Sequence, residues 1–215
     1  MSAFVTPTPR LDSFLSTSQD AVLTDLPVWR LSVEKYHAMI EAGVLTTEDR
    51  VELLEGVLVF RMSVDELHVA VCGVLQDLIA PLLDPTKLSY RSQAPVTLQD
   101  GEPEPDGAIA NGQRLQFARM GRKPLASEVS WVAEVANSSL RIDRGVKRRS
   151  YARAGIPTYW IVVLETETIE IHTDPDPTAV EPTYKSMSSY TRGQRVSVVV
   201  NGTTLGDVAV DDILG

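Results

Sequence analysis

The run from Ser130 to Asn137 constrains this chain more than any other stretch, because it is apolar enough for a buried strand and yet carries Glu134. Short apolar runs with β-branched residues are typical of strands covered on both faces of a sheet. A charge buried there without a partner costs several kcal/mol, so Glu134 needs a metal ion or a cationic side chain beside it. Lys147, on a plausible helix downstream, is a candidate for that cation. The strand and the segment after it are therefore the first candidates for a functional site.

The length of 215 residues and the hydrophobic content of 43% favour one well-buried core. We predict a flexible arm over residues 1–27, which are rich in Ser, Thr and Pro, and a single domain over residues 28–215. Its core would span about residues 30–175, and a β extension would follow over residues 176–215.

Localisation is predicted from what the sequence lacks. Its single cysteine, Cys72, excludes an internal disulfide, and no apolar run approaches the roughly 18 residues of a membrane span. With no charged-then-apolar leader, we expect a cytoplasmic protein with no membrane partner.

The charge of the chain is unevenly distributed. The net charge is −9, but residues 114–153 hold ten basic and three acidic side chains, a local charge of about +7 that leaves about −16 for the rest. One electropositive region on an acidic body is compatible with a nucleic-acid partner, since Lys and Arg at phosphates supply most of that affinity. A solvated basic helix face explains the same pattern equally well.

Hydrophobic periodicity predicts a helix over residues 33–42, and a hairpin over residues 50–60 around a Glu55-Gly56 turn. The clearest helix runs from Val64 to Leu83, where Ser63 and Glu66 form a capping box. Strands are predicted at residues 88–98, 159–164, 168–172, 184–190, 195–200 and 207–214.

Two more patterns bear on chemistry. Asp106 follows two prolines and opens a short apolar strand, which is typical of a carboxylate held at the rim of a sheet. The segment from Leu140 to Ala154 is predicted to be helical, with Asp143, Lys147 and Tyr151 on one face at i, i+4 and i+8. Lys147 can therefore point inward while the arginines of the segment stay in water.

Several motifs follow one another in the chain: ELLEG (Glu52 to Gly56), His68 at the start of a helix, EPD (Glu104 to Asp106), EVANSS (Glu134 to Ser139), DRGVK (Asp143 to Lys147), Tyr151 and GIPTYWIV (Gly155 to Val162). In this order and spacing they resemble the Uma2 family of endonucleases, within the PD-(D/E)xK nuclease superfamily. The resemblance covers about residues 30–175. The sequence departs from the family at Asn137 and Leu140, where a serine and a threonine are more usual.

The resemblance implies an α/β fold with a restriction-endonuclease-like core: a mixed central β-sheet flanked by helices, with additional short strands at the C-terminus. It implies that Asp106 and Glu134 bind Mg²⁺ or Mn²⁺, that Lys147 assists the attacking water, and that Glu52 completes the site. The usual lysine position, two residues after the glutamate, holds Ala136 here.

Further candidates come from the same comparison of motifs and charges. His68 and Gln93 are possible site residues, and three arginines are candidate phosphate-binding residues: Arg141, Arg144 and Arg148. The expected activity is metal-dependent hydrolysis of phosphodiester bonds in DNA, and the expected assembly is a homodimer.

Other interpretations remain open at this stage. The chain could be a catalytically inactive nucleic-acid-binding or dimeric interaction protein with a nuclease-like fold, or a hydrolase of small phosphodiesters or nucleotides. Glu134 and Lys147 could also form a purely structural buried pair, and Asp106 could cap a turn.

Overall fold

A six-stranded mixed sheet organises the part of the chain that the computed structural model describes, residues 28–63 and 65–215. The strands are β1 (Val51–Leu54), β2 (Val57–Phe60), β3 (Leu88–Ser92), β4 (Gly107–Asn111), β5 (Val129–Ala136), β6 (Thr158–Val163), β7 (Thr168–Asp176), β8 (Thr183–Thr191), β9 (Arg195–Val200) and β10 (Thr203–Ala209). The α-helices are α1 (Val33–Glu41), α2 (Glu66–Ile79), α3 (Gln116–Arg119), α4 (Leu140–Ile142), α5 (Arg148–Arg153) and α6 (Val210–Leu214). Short 3₁₀ turns cover Thr47–Asp49, Ala80–Leu82 and Ala126–Glu128, and a π-helical turn covers Asp143–Lys147.

The central sheet has the strand order β3-β4-β5-β6-β7-β8. Only β5 and β6 run parallel within it, with Glu134 opposite Ile161, and the helical segment from α4 to α5 makes the crossover between them. The other neighbouring pairs are antiparallel. The expected mixed α/β sheet flanked by helices is confirmed, and β1 and β2 form the expected hairpin as a separate ribbon.

The two faces of the sheet are covered by different elements. On one face, α2, the β9-β10 hairpin and α6 pack against Trp131, Val135 and Trp160. On the other, α5 packs against Val132 and Ala136, which alternate with the first set along β5. Glu134 lies two residues from both Val132 and Ala136, so its side chain is on the same face of the sheet and points toward the helical segment.

Helix α2 differs in its start and end from the expectation. Its N-cap is Asp65, whose side chain accepts a hydrogen bond from the His68 amide at 2.9 Å, so the predicted capping box at Ser63 is wrong. The α-helix ends at Ile79, because Pro81 has no amide hydrogen for the next turn and the chain tightens into the 3₁₀ turn.

The strand predicted over residues 88–98 ends at Ser92, since Gln93 adopts a left-handed conformation with φ 44°. The C-terminus differs too. Strand β8 joins the central sheet, and the chain closes with α6 over residues that were expected to continue as a strand.

The helix expected over residues 140–154 is broken into three parts. Between α4 and α5 the π-helical turn contains Gly145, whose φ and ψ of −100° and −106° lie outside helical values. The hydroxyl of Tyr159 donates to the main-chain oxygen of Asp143 at 3.1 Å, which holds this turn against the sheet.

Two expectations concern matters beyond this architecture. The arm predicted over residues 1–27 lies outside the described residues. Among those that are described, no helix has the length and apolar character needed to cross a membrane.

Candidate active site

A cavity of about 260 Å³ opens beside the C-terminal half of β5, the hairpin strand β1 and the first turn of α2. The four residues predicted to be catalytic all line it: Glu52, Asp106, Glu134 and Lys147. The two possible site residues, His68 and Gln93, line it as well. Residues up to 95 positions apart in the sequence therefore meet at one place, because β1, the segment just before β4, β5 and the π-helical turn all border the same cavity.

Lys147 lies at the centre of the acidic residues. Its Nζ atom is 3.0 Å from Oε2 of Glu134, 3.4 Å from Oε1 of Glu52 and 4.0 Å from Oδ1 of Asp143. Burial alone would lower the pKa of the Lys147 ammonium, but these carboxylates outweigh it and raise the pKa above its ordinary value. Lys147 therefore stays protonated at any physiological pH.

Glu134 is almost completely buried and has a partner for each carboxylate oxygen. Tyr151 donates its hydroxyl to Oε1 at 2.7 Å, and Lys147 contacts Oε2. Burial raises the pKa of Glu134 well above its ordinary value; Lys147 opposes that effect, whereas the neighbouring acids add to it. A second positive charge near Glu134 would therefore be stabilising.

Asp106 stands directly before β4 and is held by two donors. Its Oδ2 atom lies 3.1 Å from Nε2 of His68 and accepts the Val135 amide at 2.8 Å. Burial acts to raise the pKa of Asp106, but the contact with His68 and the amide outweigh it, so the pKa falls below its ordinary value. In return, Asp106 raises the pKa of His68 although burial of the ring opposes this.

Glu52 reaches the cavity from the buried face of β1. Its Oε2 atom accepts the main-chain amide of Glu104 at 3.1 Å, while Oε1 faces Lys147. The hairpin is fixed at this depth by main-chain bonds from the Gly56 amide to Asp100 and from the Glu102 amide to Leu53.

Asp143 is the site residue that the sequence reasoning did not select. It is 1% exposed, and neither carboxylate oxygen has a hydrogen-bond partner among the described residues. Burial raises the pKa of Asp143 to about 6, even though Lys147 and, to a smaller extent, the nearby Ser139 side chain act to lower it. The available signal was its i, i+4 spacing to Lys147, which placed both on one helical face.

The balance of charge in the cavity bears on whether a metal ion fits. Six acids of the lining carry six negative charges when ionised, against the three positive charges of Arg50, Arg61 and Lys147; the acids are Glu52, Asp65, Glu104, Asp106, Glu134 and Asp143. That leaves a deficit of three positive charges, or two if His68 is protonated. A divalent cation would offset it, and carboxylate oxygens are the donors that Mg²⁺ and Mn²⁺ prefer.

A second group of possible metal ligands shares Asp106 with these carboxylates. Ligand atoms of His68, Cys72 and Asp106 all lie within 4.8 Å of one another. However, burial raises the pKa of the Cys72 thiol, which keeps it protonated, and only the thiolate is a good metal ligand. The carboxylates therefore suit a hard cation better than this set suits a soft one.

None of the three arginines proposed for phosphate binding lines the cavity. Arg144 forms a bidentate pair with Glu170, whereas Arg141 is exposed and Arg148 is half-buried. The arginines that do line the cavity are Arg50 and Arg61, and Arg61 is paired with Glu104.

Comparison with known proteins shows the family and the fold of this chain. The model of the Uma2 family, described as "Putative restriction endonuclease", matches residues 33–205, which is more than half of the chain. A solved structure from Anabaena variabilis ATCC 29413, described as "a putative nuclease belonging to DUF820", is similar to this chain with a TM-score of 0.63 and 13% sequence identity. The match covers 86% of this chain and 97% of that one, and it shows a shared fold. No curated protein matches the sequence.

Proposed function

We propose that this chain, which belongs to the Uma2 family, is a nuclease that hydrolyses phosphodiester bonds of DNA with the help of Mg²⁺ or Mn²⁺. The observation that carries the proposal is the convergence of Glu52, Asp106, Glu134 and Lys147 on one cavity whose carboxylates exceed its cations. Perturbed buried acids in a cleft are typical of catalytic sites.

Asp106 and Glu134 would hold the divalent cation, with the main-chain carbonyl of Val135 as a further oxygen donor. When bound, the cation supplies positive charge against the negative charge that builds up on the phosphate, and it makes nearby water more acidic. His68 would keep Asp106 oriented, because its Nε2 atom contacts the same carboxylate oxygen, Oδ2, that accepts the Val135 amide.

Lys147 would act as a fixed positive charge and hydrogen-bond donor. Its raised pKa excludes a role as general base, since a base must be unprotonated to accept a proton. A protonated lysine held by Glu134 and Glu52 can orient the attacking water and stabilise the charge that develops on the phosphate.

The substrate would approach through the mouth of the cavity, where Arg50 is exposed and stands two residues before Glu52. We propose Arg50 as a phosphate contact there, and Arg141 as a contact farther along the backbone of DNA. Affinity for duplex DNA should then fall steeply as salt rises, whereas hydrolysis of a small phosphodiester should depend on salt only weakly.

The homodimer expected from the sequence is part of the proposal. Light scattering at micromolar protein concentration would test it.

Nicking of supercoiled plasmid in Mg²⁺ or Mn²⁺ tests the activity. We expect Glu134→Gln and Lys147→Met each to reduce the rate by about 10²- to 10³-fold, the cost of removing one electrostatic group from a transition state. The matched controls are Glu102→Gln and Lys123→Met. Glu102 is also a buried carboxylate in contact with a lysine, Lys123, but neither residue lines the cavity.

Circular dichroism of each variant separates loss of folding from loss of chemistry. The proposal fails if wild-type protein cleaves no DNA with either cation. It also fails if the two cavity variants retain the rate of their controls.

A further inference from the structure

The carboxylate of Asp143 has neither a hydrogen-bond donor nor a close cation of its own in the cavity that it lines. Its nearest cation is the Lys147 ammonium at 4.0 Å, and that ammonium lies closer to both Glu134 and Glu52. One ammonium cannot neutralise three carboxylates. Asp143 is thus a buried acid that the side chains around it compensate poorly.

Other buried acids of the described chain are partnered. Glu102 receives contacts from His37, Lys123 and Thr97, and Glu170 is bound by both ends of the Arg144 guanidinium. Among the residues with described side chains, Asp143 supplies the only carboxylate oxygens that are fully buried and lack a hydrogen-bond partner. Its lack of a partner therefore needs an explanation specific to this cavity.

The local backbone holds Asp143 in this position. The amide of Arg148 donates to the main-chain oxygen of Asp143 across the π-helical turn, and the Tyr159 hydroxyl donates to the same oxygen. Single π-helical turns inside α-helices occur frequently at functional sites. The turn buries Asp143 and Lys147 together while Arg144 between them stays exposed.

We propose that Asp143 is a further ligand of the divalent cation, bound directly or through one retained water, beside Asp106 and Glu134. This inference rests on the proposed metal-dependent function. It explains why a carboxylate without a partner is buried in a wall of the cavity, since Mg²⁺ and Mn²⁺ bind oxygen donors and keep some of their water.

Calorimetric titration of the full chain with Mn²⁺, without DNA, tests the ligand assignment. We expect Asp143→Asn to weaken Mn²⁺ binding at least about tenfold, because outer-shell partners already contribute 10- to 100-fold to metal affinity. The matched control is Asp77→Asn, which makes the same chemical change at an exposed position of α2 outside the cavity, and its affinity should stay within about twofold of wild type.

Nuclear magnetic resonance of the wild type gives a second test that does not depend on the folding of the variant. It also distinguishes binding by Asp143 from a long-range effect of its charge. Substoichiometric Mn²⁺ should broaden the carboxyl carbon resonance of Asp143 together with those of Asp106 and Glu134, as strongly if Asp143 binds directly and less strongly if a water intervenes. Equal affinity of wild type and Asp143→Asn, or a sharp Asp143 resonance beside two broadened ones, would overturn the inference while leaving the proposed function intact. Absence of Mn²⁺ binding to the wild type would instead refute the metal-dependent function itself.

Discussion

Replacing Asp143 by asparagine should change how the stability of the metal-free protein depends on pH. The side chain is 1% exposed, and burial raises its pKa to about 6 from an ordinary value of 3.8. An acid whose pKa is higher in the folded state binds its proton more tightly there. Asp143 therefore contributes stability at low pH, and this contribution is lost as the pH rises from about 4 through about 6.

The magnitude follows from the difference between the two pKa values. At about 1.4 kcal/mol for each pH unit, ionised Asp143 lowers the free energy of unfolding by about 3 kcal/mol relative to the protonated form. About 2 kcal/mol of this is lost between pH 4.5 and pH 7.5. Asparagine does not ionise, so any cost of burying its amide is the same at both pH values and cancels in the comparison.

Urea unfolding of wild type and Asp143→Asn at pH 4.5 and pH 7.5, in the presence of a chelator, measures the effect. The variant should gain about 2 kcal/mol relative to wild type between the lower and the higher pH. A difference between the two proteins that stays constant within about 0.5 kcal/mol would refute the reasoning, because it would mean that Asp143 is as well compensated in the fold as in water.

Three further perturbations test the surroundings of the carboxylates. Tyr151→Phe removes the hydroxyl that donates to Glu134 at 2.7 Å, and urea unfolding should show a loss of about 1–3 kcal/mol; an unchanged value would contradict a buried hydrogen bond. His68→Phe removes a contact that lowers the pKa of Asp106, so the acidic limb of the pH–rate profile should move to higher pH, and an unmoved limb would exclude His68 as the group that keeps Asp106 ionised. Arg50→Gln should reduce the salt slope of DNA binding by about one, and a slope equal to that of wild type would exclude it as a phosphate contact.

The main features of the fold can be read from local patterns in the sequence. Glu134 stands among apolar residues that alternate toward two covered faces, and its neighbours alone predict both the strand and its burial. The hairpin of β1 and β2 follows from the Glu55-Gly56 turn, where both residues adopt positive φ values of 48° and 75°. Local patterning predicts the hairpin because its hydrogen bonds close within a few residues, and it predicts β5 from the apolar side chains alone, since the partners of that strand lie on the distant β4 and β6.

The remaining features depend on contacts between distant residues. Arg144 faces solvent, as the sequence predicts, but its pairing with Glu170, which lies 26 positions away on β7, has no signal in the local sequence. The burial of Asp143 depends on the π-helical turn and on Tyr159, neither of which has a periodic signature. The local sequence alone therefore predicts that a charged residue such as Asp143, in a basic helical segment, is exposed.

The position of the lysine follows from the packing around β5. Ala136 lies on the same face as Glu134, is fully buried, and packs in a cluster with Tyr151 and Tyr159. A lysine at position 136 would have to fit its long side chain into that cluster, whereas alanine allows α5 to pack closely on the strand. Lys147 then approaches Glu134 from the helical segment, and Tyr151, one turn later, donates to the other carboxylate oxygen. The acid and its two donors therefore belong to separate elements, so the geometry of the site exists only when the segment from α4 to α5 is packed against the sheet.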